Sequence, residues 1–335
     1  MLEERAGTPN RRIDERLRRL RRTEAIREML KESRVHVSNL MAPVFVLDGE
    51  RRVEPVDAMP GVSRYSVDRV SDYVGRLADE GVRSVLIFGL PDKKDESGSE
   101  AYSSVGPVPR AIRELKSHFQ SLVVAADVCL CEYTSHGHCG VLDNGTVDNE
   151  MTLPLLAKAA LEYAEAGADI VCPSAMMDGQ VLAIRKALDE SSNEERLVMG
   201  YSAKYASSFY GPFREAARSA PSFGDRKGYQ MNPANAREAM REIDSDIREG
   251  ADMIMVKPAL AYLDVISKAR SRVDVPLAAY SVSGEYSMIK AASANGWIDE
   301  KSAAMEVATS IRRAGADIMI TYFAEQLAVW LREEQ

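Results

Sequence analysis

The chain has 335 residues, 45% of them hydrophobic and 28% charged, with a net charge of −8: enough chain for a large core, and too acidic a body for a nucleic-acid binder. No apolar run approaches the ~18 residues of a membrane span, and Met1-Leu-Glu-Glu-Arg is charged with no hydrophobic segment after it, so neither a membrane anchor nor a signal peptide is expected. Four cysteines, three of them crowded together, fit a reducing cytoplasm and a bound metal better than a disulfide framework.

Residues 1–34 hold 11 Lys/Arg against 7 Asp/Glu, a net +4 that leaves −12 for the rest. This stretch reads as an N-terminal arm ahead of a catalytic domain, 35–335. Interleaved acids and the lack of stacking aromatics argue against nucleic acid as its target. Ile13, Leu17, Leu20, Ile26, Met29 and Leu30 give a broken helical stripe with little nearby to bury against. A basic arm on an acidic body matches a neighbouring copy of the same chain, which predicts a homo-oligomer.

From residue 40 onward one phrase recurs: a helical segment ends in Gly, and an apolar strand begins one or two residues later. It appears around Gly81, Gly167, Gly250 and Gly315, where glycine past a helix end takes the left-handed conformation without a Cβ clash. Strands are predicted at 40–47, 84–90, 122–130, 169–175, 197–204, 253–259, 276–284 and 318–324. Several lack polar alternation, as strands buried on both faces should. Helices between them carry start signals: Asn232-Pro233 for 233–249, Asp178 ahead of Val181, Ile184 and Leu188, and Asp299 ahead of 300–313. Eight strands alternating with helices predict a (β/α)8 barrel. A doubly wound open sheet is the alternative, but no Gly-x-Gly-x-x-Gly loop follows any of these strands.

In a barrel the chemistry sits at the C-terminal ends of the strands. The third strand leads into Asp127-Val-Cys-Leu-Cys-Glu-Tyr-Thr-Ser-His-Gly-His-Cys-Gly140. Here Asp127, Cys129 and Cys131 are expected to alternate off the strand end, with His136, His138 and Cys139 in the loop beyond. Thiolates and imidazoles so gathered suit zinc; the competing reading is a set of buried free thiols. The fifth strand ends in Lys204 and the sixth in Lys257, on adjacent strands. Lysine is costly inside a barrel, and two ammonium groups in one cavity each lower the other's pKa, leaving a neutral amine able to attack a ketone. Each lysine in a structural ion pair is the alternative. Residues 205–232 are too long and polar for a simple connection and read as a lid whose Arg214, Arg226 and Lys227 can reach a carboxylate.

These residues carry a resemblance. Arg18–Arg22, Met59–Val62, Gly98–Tyr102, Asp127–Gly140, Met177–Gln180, Tyr210–Arg214, Gly224–Lys227, Met255–Pro258, Val282–Tyr286 and Thr321–Ala324 together resemble the porphobilinogen synthase (5-aminolaevulinate dehydratase) family over nearly the whole chain. The resemblance implies a hydro-lyase that condenses two molecules of 5-aminolaevulinate into porphobilinogen, an early step towards haem and other tetrapyrroles. It implies Lys257 as the Schiff-base lysine for the propionate-side substrate, Lys204 as its partner on the acetate side, and Asp127 as a further catalytic group. Ser283 and Tyr322 match residues on the first carboxylate; Arg214 and Arg226, with Gln230, match those on the second. Cys129, Cys131 and Cys139 match the Zn2+ ligands of the zinc-dependent branch, and Glu242 matches an allosteric Mg2+ position. The arm is implied to wrap a neighbouring subunit in a homo-octamer. Two departures stand out: Ser281 where Gln or Asn is expected, and a less acidic Asn149–Thr152. A class I aldolase-type barrel, needing one lysine and no cysteines, and a structural zinc knot are the rival readings.

Overall fold

The computed structural model describes residues 16–333. Eight parallel strands run in chain order: β1 (Leu40–Leu47), β2 (Ser84–Leu90), β3 (Val123–Val128), β4 (Ile170–Pro173), β5 (Leu197–Lys204), β6 (Met253–Lys257), β7 (Leu277–Ser281) and β8 (Ile318–Thr321). Each pairs with the next, and β8 returns to β1 through Leu40↔Met319 and Met41↔Ile320, so the sheet closes. The helices of eight or more residues are α1 (Val67–Asp79), α2 (Pro107–His118), α3 (Asn149–Ala166), α4 (Gln180–Glu190), α5 (Ala236–Glu249), α6 (Leu263–Arg270), α7 (Ser283–Ala294), α8 (Glu300–Ala314) and α9 (Ala324–Glu333). The expected (β/α)8 barrel is present. No described helix is long and apolar enough to cross a membrane.

Burial explains the apolar runs. All eight residues of β1 are buried, one side chain facing the barrel axis and the next facing the helices. At the joints, Gly81, Gly167, Gly250 and Gly315 have φ of +92°, +108°, +103° and +116°, the conformation their positions require.

Several boundaries differ from expectation. Helix α5 starts at Ala236, not Pro233, because the Asn232 side chain accepts from the Ala234 N–H at 3.0 Å and its carbonyl accepts from the Asn235 N–H at 3.0 Å, which holds a turn there first. Helix α4 starts after Gly179, whose φ is +79°, so Asp178 precedes the helix without capping it. Asp299 does cap α8, accepting from the Ser302 N–H at 2.8 Å. Strand β3 stops at Val128, so the cysteines lie past the strand and not in alternation with Asp127. An antiparallel hairpin, Val53–Pro55 with Ser63–Ser66, was not foreseen and adds a strand beside the upper half of β1.

Residues 16–34 belong to a unit separate from the barrel. They contain a 3-10 turn, Leu17–Arg21, and a short helix, Glu24–Met29, neither of which buries a side chain. Leu17, Leu20, Met29 and Leu30 are exposed; Ile13, from the expected stripe, lies outside the described residues.

Candidate active site

Lys204 and Lys257 end β5 and β6 as direct cross-strand partners. Both are buried, each 5% exposed, yet their surroundings differ. Lys257 Nζ lies 4.3 Å from the centroid of the Tyr280 ring and 5.0, 5.4 and 5.0 Å from those of Tyr201, Tyr210 and Phe213. Burial, then the Lys204 charge, lowers its pKa from 10.5 to about 7. Such a fall corresponds to on the order of 5 kcal/mol against the ammonium, more than the ~2 kcal/mol that aromatic faces return. A substantial neutral fraction at neutral pH follows.

Lys204 goes the other way. Burial pushes its pKa down, but the charge of the sulfur cluster, centred on Cys139, together with Asp127 outweighs burial and holds the ammonium above the ordinary lysine value. Mutual lowering of both lysines, the sequence expectation, is therefore corrected for Lys204: the neighbouring sulfur cluster outweighs the neighbouring lysine. Its Nζ donates to the Ser174 carbonyl, while the Ser174 hydroxyl donates to Asp127 Oδ2 at 3.0 Å. Asp127 Oδ1 has no hydrogen-bond partner, and burial raises the Asp127 pKa against the pull of both lysines.

The sulfurs of Cys129, Cys131 and Cys139 lie within 4.8 Å of one another, the one group of three close Cys, His or carboxylate ligands among the described residues. All three side chains are buried. Burial pushes the Cys129 thiol up, and hydrogen bonding with Cys129 pushes Cys131 up, whereas hydrogen bonds from those two hold Cys139 well down. One thiolate shared among buried sulfurs is a donor set that suits a soft cation. Neither histidine is free to join it. His138 Nε2 donates to the Phe223 carbonyl and Nδ1 accepts from the Tyr229 hydroxyl, both at 3.1 Å. His136 Nε2 donates to the Glu96 carbonyl at 3.2 Å and Nδ1 accepts from the His138 N–H at 3.1 Å.

The lid segment folds over this mouth through a short helix, Gly211–Ala216. Arg226 is 5% exposed and donates to the carbonyls of Gly137 and Ser219. Its Nε, the Arg214 Nε and both amide atoms of Gln230 are buried without partners. Lys227 turns outward instead and pairs with Asp225 at 3.4 Å, because its side chain is 76% exposed. The Ser283 hydroxyl is engaged by the lid backbone, donating to the Phe209 carbonyl at 3.2 Å and accepting from the Phe213 N–H at 2.9 Å. Tyr322 hydrogen-bonds Tyr280 at 3.0 Å, behind Lys257. Among Asp127, Glu132, Lys204, Phe213, Arg226 and Lys257 the cavity is only about 10 Å3, near the size of one water probe.

A larger groove, about 950 Å3, runs along α5 past Glu242, Asp178 and Glu249, and neither lysine nor any cysteine lines it. Glu242 is thus apart from the mouth. Sequence reasoning also missed Glu132, which is 2% exposed, accepts from the Cys131 thiol at 3.2 Å and has its pKa raised to about 7, chiefly by burial. Its place inside the cysteine motif was the available signal. Tyr201, Tyr210 and Phe213 gave none, since aromatic residues there read equally as core.

A family model described as delta-aminolevulinic acid dehydratase matches residues 14–330. The chain is 52% identical to the delta-aminolevulinic acid dehydratase of Bacillus subtilis (strain 168), over 94% of this chain and 98% of that one. It is 55% identical to that of Methanothermobacter thermautotrophicus, over 93% and 96%. The crystal structure of delta-aminolevulinic acid dehydratase (porphobilinogen synthase) from Toxoplasma gondii ME49, in complex with the reaction product porphobilinogen, superposes with a TM-score of 0.94 at 46% identity, covering 97% of this chain and 93% of that one.

Proposed function

The chain belongs to the delta-aminolevulinic acid dehydratase family and is a hydro-lyase that condenses two molecules of 5-aminolaevulinate into porphobilinogen; from that premise we propose that Lys257 starts the reaction, with Lys204, Asp127 and a zinc ion completing the site. The observation that carries this is the in-register pair of lysines beside three convergent thiols, with only one lysine held near a neutral pKa.

The neutral Lys257 amine attacks the C4 ketone of the first substrate, water leaves, and an imine forms in a pocket of four aromatic rings that keeps bulk water out. Lys204 makes the corresponding bond to the second substrate, and its proton has an acceptor nearby in Asp127, whose Oδ1 is unpaired. Asp127 and Glu132, both buried with raised pKa values, are suited to moving the protons that ring closure and aromatisation release. Ser283 and Tyr322 hold the first carboxylate. Arg214, Arg226 and Gln230 hold the second, which would give an acceptor to the buried donors now lacking one, the two arginine Nε groups and Gln230 Nε2.

Cys129, Cys131 and Cys139 fit zinc: three buried sulfurs, one already a thiolate, with both histidines committed elsewhere. Zinc held by these three sulfurs would supply a Lewis acid. That histidine commitment also disfavours a closed structural knot, which needs a fourth protein ligand.

For assembly, the exposed apolar side chains of the basic arm support docking on a neighbouring copy within a homo-octamer. Magnesium at Glu242 would stabilise that larger assembly; sedimentation of wild type and Glu242→Gln with and without magnesium tests this, and equal responses would refute it. Incubation with 5-aminolaevulinate, colorimetric detection of a pyrrole, and borohydride trapping read by peptide mass test the main reading. Product without label on Lys257 would overturn the assigned roles.

A further inference from the structure

Strand β5 departs from regular pairing just before Lys204. Between Ile254 and Val256, β6 advances two residues while β5 advances three, from Gly200 to Ala203. The extra residue is a β-bulge, and it changes which way the strand end points. A Cβ on Gly200 would stand 2.6 Å from Asp246 Oδ2 on α5, so Gly200 faces the helices. Tyr201, with its ring centroid 5.5 Å from Lys204 Nζ, faces the mouth. Strict alternation from there would turn Ser202 outward, Ala203 inward and Lys204 outward onto α5. Lys204 Nζ instead reaches the Ser174 carbonyl inside the barrel. The inserted residue supplies that reversal, since a shift of one residue moves a side chain to the other face.

One carboxylate occupies the outer side of this bulge. Asp246 is 9% exposed and is the only acidic residue among the buried side chains of α5. The Ser202 hydroxyl has two acceptors in reach, the Gly200 carbonyl at 3.3 Å and the Asp246 carboxyl. Gly200, Ser202 and Asp246 therefore form a polar knot between strand and helix. A carboxylate is expensive in such a position unless it is hydrogen-bonded, and glycine at 200 is what allows it to approach.

We propose that Asp246 is a positioning residue for Lys204: it braces the Gly200–Ala203 bulge from outside the barrel and so keeps Lys204 aimed into the mouth. The inference rests on the reading above in giving Lys204 the second substrate. Lys257 has no such brace, because β6 pairs without an inserted residue of its own.

The test compares wild type with Asp246→Ala, Asp246→Asn and Gly200→Ala, by borohydride trapping with one equivalent of 5-aminolaevulinate and by steady-state kinetics. Asp246→Ala and Gly200→Ala are expected to trap substrate at Lys257 as wild type does, which also reports a folded barrel, while kcat/KM falls by about a hundredfold, the scale of a small misplacement of a reacting group. Asp246→Asn keeps the shape and an acceptor oxygen, and is expected to restore most of the loss. Wild-type kinetics in Asp246→Ala, or loss of Lys257 trapping in step with turnover, would overturn the proposal. Label on Lys204 in the wild-type control would instead overturn the roles assigned to the two lysines, and the same peptides distinguish the two failures.

Discussion

Lys204 and Lys257 are the same residue type, on adjacent strands, in register and equally buried, yet one is held above the ordinary lysine pKa and the other falls to about 7. The difference lies in what faces each amine. Both face Asp127, but Lys257 lies among four aromatic rings where burial and a like charge dominate, while at Lys204 the sulfur cluster and Asp127 outweigh burial. Under the roles proposed above, two identical nucleophiles are distinguished by their surroundings alone, and one is activated first.

Replacing Lys257 is the most severe way to break this contrast. Lys257→Ala is expected to abolish trapping with one equivalent of substrate and to lower turnover by at least about 10³-fold, the scale of losing a nucleophile. Retained trapping, located at Lys204 by peptide mass, would reverse the two roles.

The contrast sharpens in Lys204→Ala. Turnover is expected to be lost for want of the second anchor, while trapping at Lys257 is expected to persist. In wild type, trapping is expected to be half-maximal near pH 7, rising with pH as the Lys257 ammonium loses its proton. Removing the Lys204 charge removes a penalty on that proton, so the midpoint moves to higher pH and trapping slows at neutral pH. An unmoved profile would show that the two amines do not interact.

Cys139→Ala probes the other half. Metal content, measured by emission spectrometry, is expected to fall from one per chain towards none. Unchanged metal content in this variant would remove Cys139 from the ligand set.

Deleting residues 1–30 is expected to leave the barrel folded while reducing the assembled species in sedimentation and lowering activity several-fold. An unchanged sedimentation coefficient would require another role for the exposed apolar side chains of the arm. The smallest effect belongs to Cys172, fully buried on β4 and apart from the other three. Cys172→Ala should leave metal content unchanged and cost about 1 kcal/mol of stability for the small void it opens; a drop in metal content would link it to the cluster.

Much of this was legible in the chain itself. Apolar runs without alternation, each introduced by a helix-ending glycine, specify a closed parallel sheet because backbone periodicity and glycine's freedom at positive φ are local properties. Asp127, the three cysteines and both strand-end lysines stood out because charged or thiol side chains seldom end a buried strand without a use. What the sequence could not determine was direction and distance. That His136 and His138 turn away from the sulfurs depends on partners at Glu96, Phe223 and Tyr229, two of them far along the chain. The opposite pKa directions of the lysines, the entry of Glu132 into the cavity and the reversal of Lys204 by a bulge against Asp246 all come from groups brought together only by closure of the barrel. Electrostatic interactions and steric contacts act through space, and an inserted residue in a strand leaves no mark on local propensity until a partner strand fixes its register.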